Sequence, residues 1–369
     1  MHDPSGPAGG QSVSGSAVAG GVFQIGPARD VSIGAPLPPR PPLPDATSTP
    51  APPGLKNLPR RAAVFVGRDE ALQRVEQALS EGPGVITQGP QAAVYGLGGI
   101  GKSELALQYA LRNAGRYHLT WWIDADSPEQ IQEGLADLAR AITAAKHSVA
   151  SHQATAEEAA AWAFAWLATH PGWLLIFDNV EQVRDIESVL GRLSGGHVLI
   201  TTRCATGWQG LCTPINLEVL DAAAAERLLA ELIGPARTAP PGELAALAEE
   251  LGWLPLALTQ AGAYIACTPG MTVERYRHLL SQAPGRLHAA AAAGHDPGRV
   301  VARVWEVTHS RITELNALAP RLLELLACYA PDHLPIDVLN GLPDADELDI
   351  AEALGLLASY SMITLAEDS

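Results

Sequence analysis

The sequence predicts an α/β domain, an open parallel sheet flanked by helices, followed by all-helical units and preceded by an unfolded N-terminal tail. Three observations carry this expectation. Between Ala62 and Asp221 short apolar runs alternate with helical segments, the rhythm of a parallel sheet covered on both faces. One of those runs, "AAVY", passes directly into the glycine-rich turn "GLGGIGKS" and then into a helix. Past Asp221 the strand-like runs cease and helical periodicities follow one another.

Taken in order, residues 1–60 are dominated by Pro, Gly, Ser and Ala, and "APLPPRPPLPDATSTPAPPG" reads as an extended linker of polyproline type. No packed domain is expected there. Order begins near "AAVFVGRDEALQRVEQALS", a strand-like run turning through Gly67 into a helix with Ala71, Leu72, Val75, Ala78 and Leu79 on one face. A helix from about Lys102 to Arg112, the run "HLTWWIDA", a helix through Ile131 to Ala144, another around Trp162 and Trp166, then "WLLIFDN" and "HVLITTR" complete a domain over 61–220. A helical domain over 221–290 and a last unit over 291–369 follow, the latter ending in an expected strand, "MITLAE". No repeat at a 20–50 residue period is visible, so a solenoid is not expected within these residues.

Composition narrows the function classes. With 47% hydrophobic residues over 369 positions, the chain has ample material for packed cores. A formal net charge of −16 argues against nucleic acid and anionic membrane as partners, since phosphate surfaces are bound by clustered Lys and Arg. The cysteines at 204, 212, 267 and 328 form no CxxC pair and suggest reduced thiols in the cytoplasm. "MHDPSGPAGG" has neither a basic nor an apolar stretch of the kind that directs export.

The chemistry centres on Gly96 to Ser103, which fits GxxxxGK[ST] between a strand and a helix. Gly96, Gly98, Gly99, Ile100 and Gly101 let the backbone curl so that its amides, through Glu104 at the helix start, point inward at phosphate oxygens. Lys102 is expected to reach the outer phosphates and Ser103 to ligate Mg²⁺. Such a loop needs a carboxylate at the end of a neighbouring strand, and Asp178 in "WLLIFDN" takes that place as the second Mg²⁺ ligand. Next to it stands Asn179, which can orient a water but cannot take its proton. At most slow ATP hydrolysis is expected. Arg203, ending "HVLITTR", suits a γ-phosphate, although a strand-end Arg also serves as a surface ion-pair partner. Trp121, Trp122, Trp162, Trp166 and Trp173 are expected in the core, and His118, His197 and His309 are expected to be packing or surface residues.

This order of motifs resembles the NB-ARC class of STAND signal-transduction ATPases, the nucleotide-binding part of NOD-like and plant resistance proteins. The resemblance runs from about Arg60 to Ser369 and rests on "FVGRDEAL", "GLGGIGKSELALQYA", "WLLIFDNV", "ITTR" and "LGWLPLAL", the last similar to the family's GLPL motif. It implies ATP and ADP as ligands with Mg²⁺, adenine packing by Phe65 and Val66 with Arg68 beside them, and closure over the base by Pro255. Pro255 also suits the first turn of a helix, and both roles are compatible. The last unit is then a partial winged-helix-like domain. The family's MHD histidine finds no counterpart, His333 being the last histidine, so the sequence is expected to be a fragment or a shortened protein lacking tetratricopeptide-like sensor repeats.

One stretch of the tail stands apart. "VSGSAVAGGVFQIGPARDVSIG", Val13 to Gly34, combines β-prone apolar residues, an amide-bearing Gln24 and flanking glycines, features of a segment that stacks on copies of itself. Its "FQIG" resembles the core of the RIP homotypic interaction motif, with Phe23 in place of the usual β-branched residue, and the stretch is similar to amyloid signalling motifs ahead of NB-ARC domains in some bacteria. The combined expectation is a nucleotide switch that oligomerises and recruits, through its tail, an effector with a matching motif, in bacterial defence or regulated cell death. A STAND-type transcriptional regulator is the alternative; it needs a basic DNA-binding surface that Arg29, Arg40 and Arg60 alone do not supply.

Overall fold

Leu174 to Phe177 are four successive apolar residues with no solvent exposure, as a strand covered on both faces requires. They belong to a computed structural model that describes residues 42–80, 90–144, 154–235, 237, 239–282, 297–329, 334–339, 342 and 345–365, all within one compact unit, Pro41–Ser369. The Val13–Gly34 motif lies outside the described residues.

The sheet comprises β1 (Leu55–Lys56), β2 (Gln91–Tyr95), β3 (Leu119–Asp124), β4 (Trp173–Val180), β5 (His197–Thr202) and β6 (Thr213–Asn216). All pairs are parallel and the spatial order is β1-β3-β4-β5-β2-β6. The strand leading into the glycine-rich turn is therefore an inner one, flanked by β5 and β6 and separated from β4 by β5, and the C-terminal ends of β2 and β4 lie on the same side of the sheet. Helices α1 (Asp69–Ser80) and α2 (Lys102–Arg112) cover one face, α3 (Pro128–Ala144), α4 (Ala156–Thr169) and α5 (Val183–Leu190) the other. The five tryptophans expected in the core are all buried, Trp173 to 1% exposure. His118 is exposed and His309 half-buried, while His197 meets the Tyr117 hydroxyl at 2.7 Å.

Beyond β6 the described elements are helical: α6 (Ala222–Ile233), α7 (Glu243–Glu250), α8 (Pro255–Cys267), α9 (Val273–Gln282), α10 (Pro297–Leu315), α11 (Leu318–Leu326), a 3₁₀ turn (Ile336–Leu339) and α12 (Glu347–Ser359). Asp221 caps α6 through the Ala224 amide at 2.7 Å. One continuous apolar core runs through these helices, and Tyr264 of α8 meets both Tyr276 of α9 and Tyr360 after α12.

Three segments differ from the sequence expectation. Residues 42–60 are not a free linker, because two tryptophans of α4 clamp their backbone. Trp162 Nε1 donates to Pro44 O and Trp166 Nε1 to Thr49 O at 2.7 Å. The chain then runs as β1 along β3, and the Asn57 side chain accepts from Trp122 N (2.6 Å) and donates to Trp122 O (2.8 Å), imitating a further ladder residue. The run "AAVFVG" makes no ladder: Phe65 packs into the sheet domain while Val64 and Val66 pack into the helical core, so its alternating sides bridge two cores. "MITLAE" is no strand over its described residues: Ser361 adopts φ +55°, ending α12 in a left-handed turn that directs Met362 and Ile363 back onto the helical core.

Candidate functional site

Backbone crowding explains the glycines of the turn. A side chain at Gly96 would put its Cβ 2.6 Å from Leu217 O, and Gly99, at φ +72°, would meet the Leu256 side chain at 3.0 Å. This close curl leads into α2, whose first-turn amides lack intrahelical partners and favour an anion. Lys102 is only 8% exposed, yet among the described residues its ammonium donates only to the loop's own carbonyls, Leu97 O at 2.8 Å and Gly96 O at 3.1 Å. Burial pushes its pKa below the usual lysine value and the Arg203 charge adds to this, partly offset by Asp178. Arg203 lies against Gly98, so two cations converge on the loop. That concentration of positive charge over a glycine cradle fits a polyphosphate.

Asp178 stands beside the loop, within hydrogen-bonding reach of Ser103. Burial pushes its carboxyl above the ordinary range and the charges of Asp124 and Asp126 reinforce this, while hydrogen bonds from Thr201 and Ser103 pull it down. The Ser103 hydroxyl and the Asp178 carboxylate are hard oxygen donors, the small protein share that a Mg²⁺ held mainly by phosphate and water requires. Among the described residues no group of three or more His, Cys, Asp or Glu side chains is arranged to hold a metal by itself.

A cavity of about 340 Å³ opens over the loop, the size of a small-molecule site. Phe65, Val66, Gly98, Gly99, Ile100, Gly101, Lys102, Ser103, Glu104, Asn179, Arg203 and Pro255, named from the sequence, all line it. Gly96 shapes the turn from behind, and Asp178 lines the adjoining larger groove together with Ser103. Arg68 also borders the cavity, but its guanidinium donates to Glu218 O (2.7 Å) and Ile100 O (2.9 Å), tying the strap before α1 to the loop. Pro255 occupies the first turn of α8, where its missing N–H costs nothing, and it faces the cavity as well. The next residue makes the closest link: Leu256 N donates to Gly99 O at 3.2 Å, joining the helical part to the crown of the loop.

Sequence reasoning missed Leu256, Thr259, Leu220 and Leu228 on the apolar wall, since their approach depends on how the helices fold back. It also missed Thr201 as a centre of polar contacts. Thr201 Oγ1 accepts from Asn179 N at 2.9 Å and donates to Asp178.

Comparison with known proteins agrees with this geometry. Residues 68–238 match the family model described as the NB-ARC domain. A nucleotide-binding leucine-rich repeat (NLR)-like protein of Hyaloscypha variabilis is 26% identical over 337 residues, covering 82% of this chain and 33% of that protein. The regulatory protein AfsR of Streptomyces coelicolor is 24% identical over 306 residues, covering 80% of this chain and 30% of that protein. The chain thus spans about a third of the length of the curated relatives it matches. Among solved structures, a STAND protein with a tetratricopeptide repeat sensor from Pyrococcus horikoshii shares the fold, with a TM-score of 0.51 and 17% identity over 80% of this chain and 40% of that one. No helix among the described residues is long and apolar enough to cross a membrane. Residues 68–238 are thus similar to the NB-ARC domain, and they lie on a parallel α/β sheet of P-loop type.

Proposed function

We propose that this chain is an ATP/ADP-binding signalling switch. The observation that carries the reading is the bond from Leu256 N to Gly99 O: the loop built for phosphates also holds the helical part, so the polyphosphate length and the interdomain contact act on the same few residues. Adenosine packs between Phe65, Val66 and Pro255, the amides of Gly98 to Glu104 with Lys102 and Arg203 take the phosphates, and Ser103 with Asp178 holds Mg²⁺. Held by Ser103 and Asp178, Mg²⁺ would supply neutralisation of phosphate charge. The test is calorimetry with ADP and with ATP·Mg²⁺ on nucleotide-stripped protein. Micromolar or tighter uptake of either supports the reading, and no uptake of both ends it.

In the same reading the switch acts in the cytoplasm, oligomerises in one nucleotide state and recruits an effector through the Val13–Gly34 motif, in defence or regulated cell death. Clustering raises the local concentration of the motif until copies stack as cross-β and template the partner. A synthetic Val13–Gly34 peptide is expected to bind thioflavin T at high concentration; a peptide that stays monomeric removes this part while leaving nucleotide binding intact. A second reading, a nucleotide-controlled regulator of transcription, is favoured by one observation, the similarity to a protein named as a regulatory protein. The net charge of −16 opposes it. Nucleotide-dependent retention of duplex DNA at physiological salt would decide for it.

A further inference from the structure

The strand β4 departs from regular pairing where its chemistry begins. Phe177 pairs with Ile200 and Val180 with Thr202, so one extra residue is accommodated across Asp178–Asn179. Asn179 takes up the irregularity at φ +58°, a left-handed conformation that asparagine tolerates better than most residues. Two bonds hold it there: its amide donates to Thr201 Oγ1 at 2.9 Å, and its side-chain Nδ2 donates to Asp126 Oδ1, from the loop just after β3. A carboxylate only accepts, so this partner fixes which way the Asn179 amide faces. Nδ2 is committed to Asp126, and Oδ1, which bonds to no described residue, is left as the acceptor of a side chain that lines the phosphate cavity beside Lys102, Thr201 and Arg203.

We propose that Asp126 is a positioning residue for ATP hydrolysis: by holding the Asn179 amide it presents Asn179 Oδ1 to the attacking water. The inference rests on the cavity being an ATP site. The carboxylate that neighbouring Asn179 does not supply is contributed from the loop after the adjacent strand β3, one hydrogen bond further from the reacting atoms. Water donates one O–H to Asn179 Oδ1, which turns its lone pair toward the γ-phosphorus. The new P–O bond forms as the bond to the β,γ-bridging oxygen breaks, ADP leaves with that electron pair, and the water proton passes to a phosphate oxygen, yielding inorganic phosphate. Asn179 remains neutral throughout, consistent with slow turnover.

The test uses the full chain with ATP·Mg²⁺ and four variants, Asp126→Ala, Asp126→Asn, Asn179→Asp and the exchange Asp126→Asn/Asn179→Asp. Asp126→Ala is expected to lower the single-turnover hydrolysis rate about 10- to 100-fold, the cost of a misaligned reactant, with ATP and ADP affinity nearly unchanged. The exchange restores an acid–amide pair with the carboxylate on the cavity side and is expected to hydrolyse faster than either of its single variants. In nucleotide-free protein the Asn179 side-chain NH₂ signals in a ¹⁵N-resolved NMR spectrum are expected to move in Asp126→Ala, a readout that needs no activity. Equal hydrolysis by Asp126→Ala and the parent, absent hydrolysis by a parent that binds ATP, an exchange variant no better than its singles, or unmoved Asn179 signals would each overturn the proposal. A parent that binds no ATP instead overturns the nucleotide reading beneath it.

Discussion

Replacing Gly99 by Ala tests the contact on which the switch reading turns. The residue sits at φ +72°, where a Cβ costs about 1–2 kcal/mol by itself. The new Cβ would also stand 3.0 Å from the Leu256 side chain, adding about 1 kcal/mol of overpacking. The bond from Leu256 N to Gly99 O, of net value about 0.5–1.5 kcal/mol, would be stretched as the helix start moves away. Gly101→Ala is the natural control: its φ of +92° carries a similar backbone cost, but a Cβ there meets nothing within 4 Å. The difference between the two variants isolates the interdomain contact at about 1.5–2.5 kcal/mol, which corresponds to about 10- to 70-fold faster hydrogen exchange at the Leu256 amide. The assay is exchange by mass spectrometry or NMR over the first turn of α8 in nucleotide-free protein. Equal exchange in the two variants would mean that Leu256 does not rest on the loop in solution, and the coupling between phosphate loop and helical part would have to be abandoned.

Other outcomes follow from single contacts. Lys102→Ala removes a buried ammonium bonded only to loop carbonyls, and is expected to weaken ATP binding by calorimetry about 10- to 100-fold, the loss of one or two charge-assisted bonds, with a melting temperature near that of the parent. Trp166→Phe keeps most of the ring but removes the indole bond to Thr49 O; a loss of about 1 kcal/mol and faster proteolysis within residues 42–60 are expected. His197 is held down to about 4 by burial, with the Arg116 charge adding to it, whereas the unfolded chain binds the proton near pH 6.5. Its contribution to stability is complete above pH 6.5 and declines as the pH falls toward 4, so chemical denaturation of His197→Gln should show a shallower loss across that window.

The central strands were legible because Leu174–Phe177 and Val198–Ile200 are apolar runs of strand length, and "GLGGIGKS" placed the turn between strand and helix. The helical part was legible from its periodicity. What stayed hidden depends on distance in the chain. Leu55–Lys56 is too short to announce itself as a strand and becomes one only because β3 offers an open edge and two indole donors anchor the preceding backbone. "AAVFVG" has the alternation of a strand, but its two sides are claimed by different cores. In the candidate site, spacing named Asp178, Asn179 and Arg203, yet nothing in the spacing shows that Asp126, 53 positions before Asn179, bonds to its amide.

The edge of a β-sheet is an adhesive surface, offering unsatisfied donors and acceptors to any extended peptide that comes near. In this molecule β1 and the Asn57 carboxamide occupy that border along β3 from Leu119 to Trp122. The border that results is two residues long where β3 would have offered six, and so short a ledge gives an incoming strand little to zip onto, a useful property in a protein whose leading segment is proposed to self-stack.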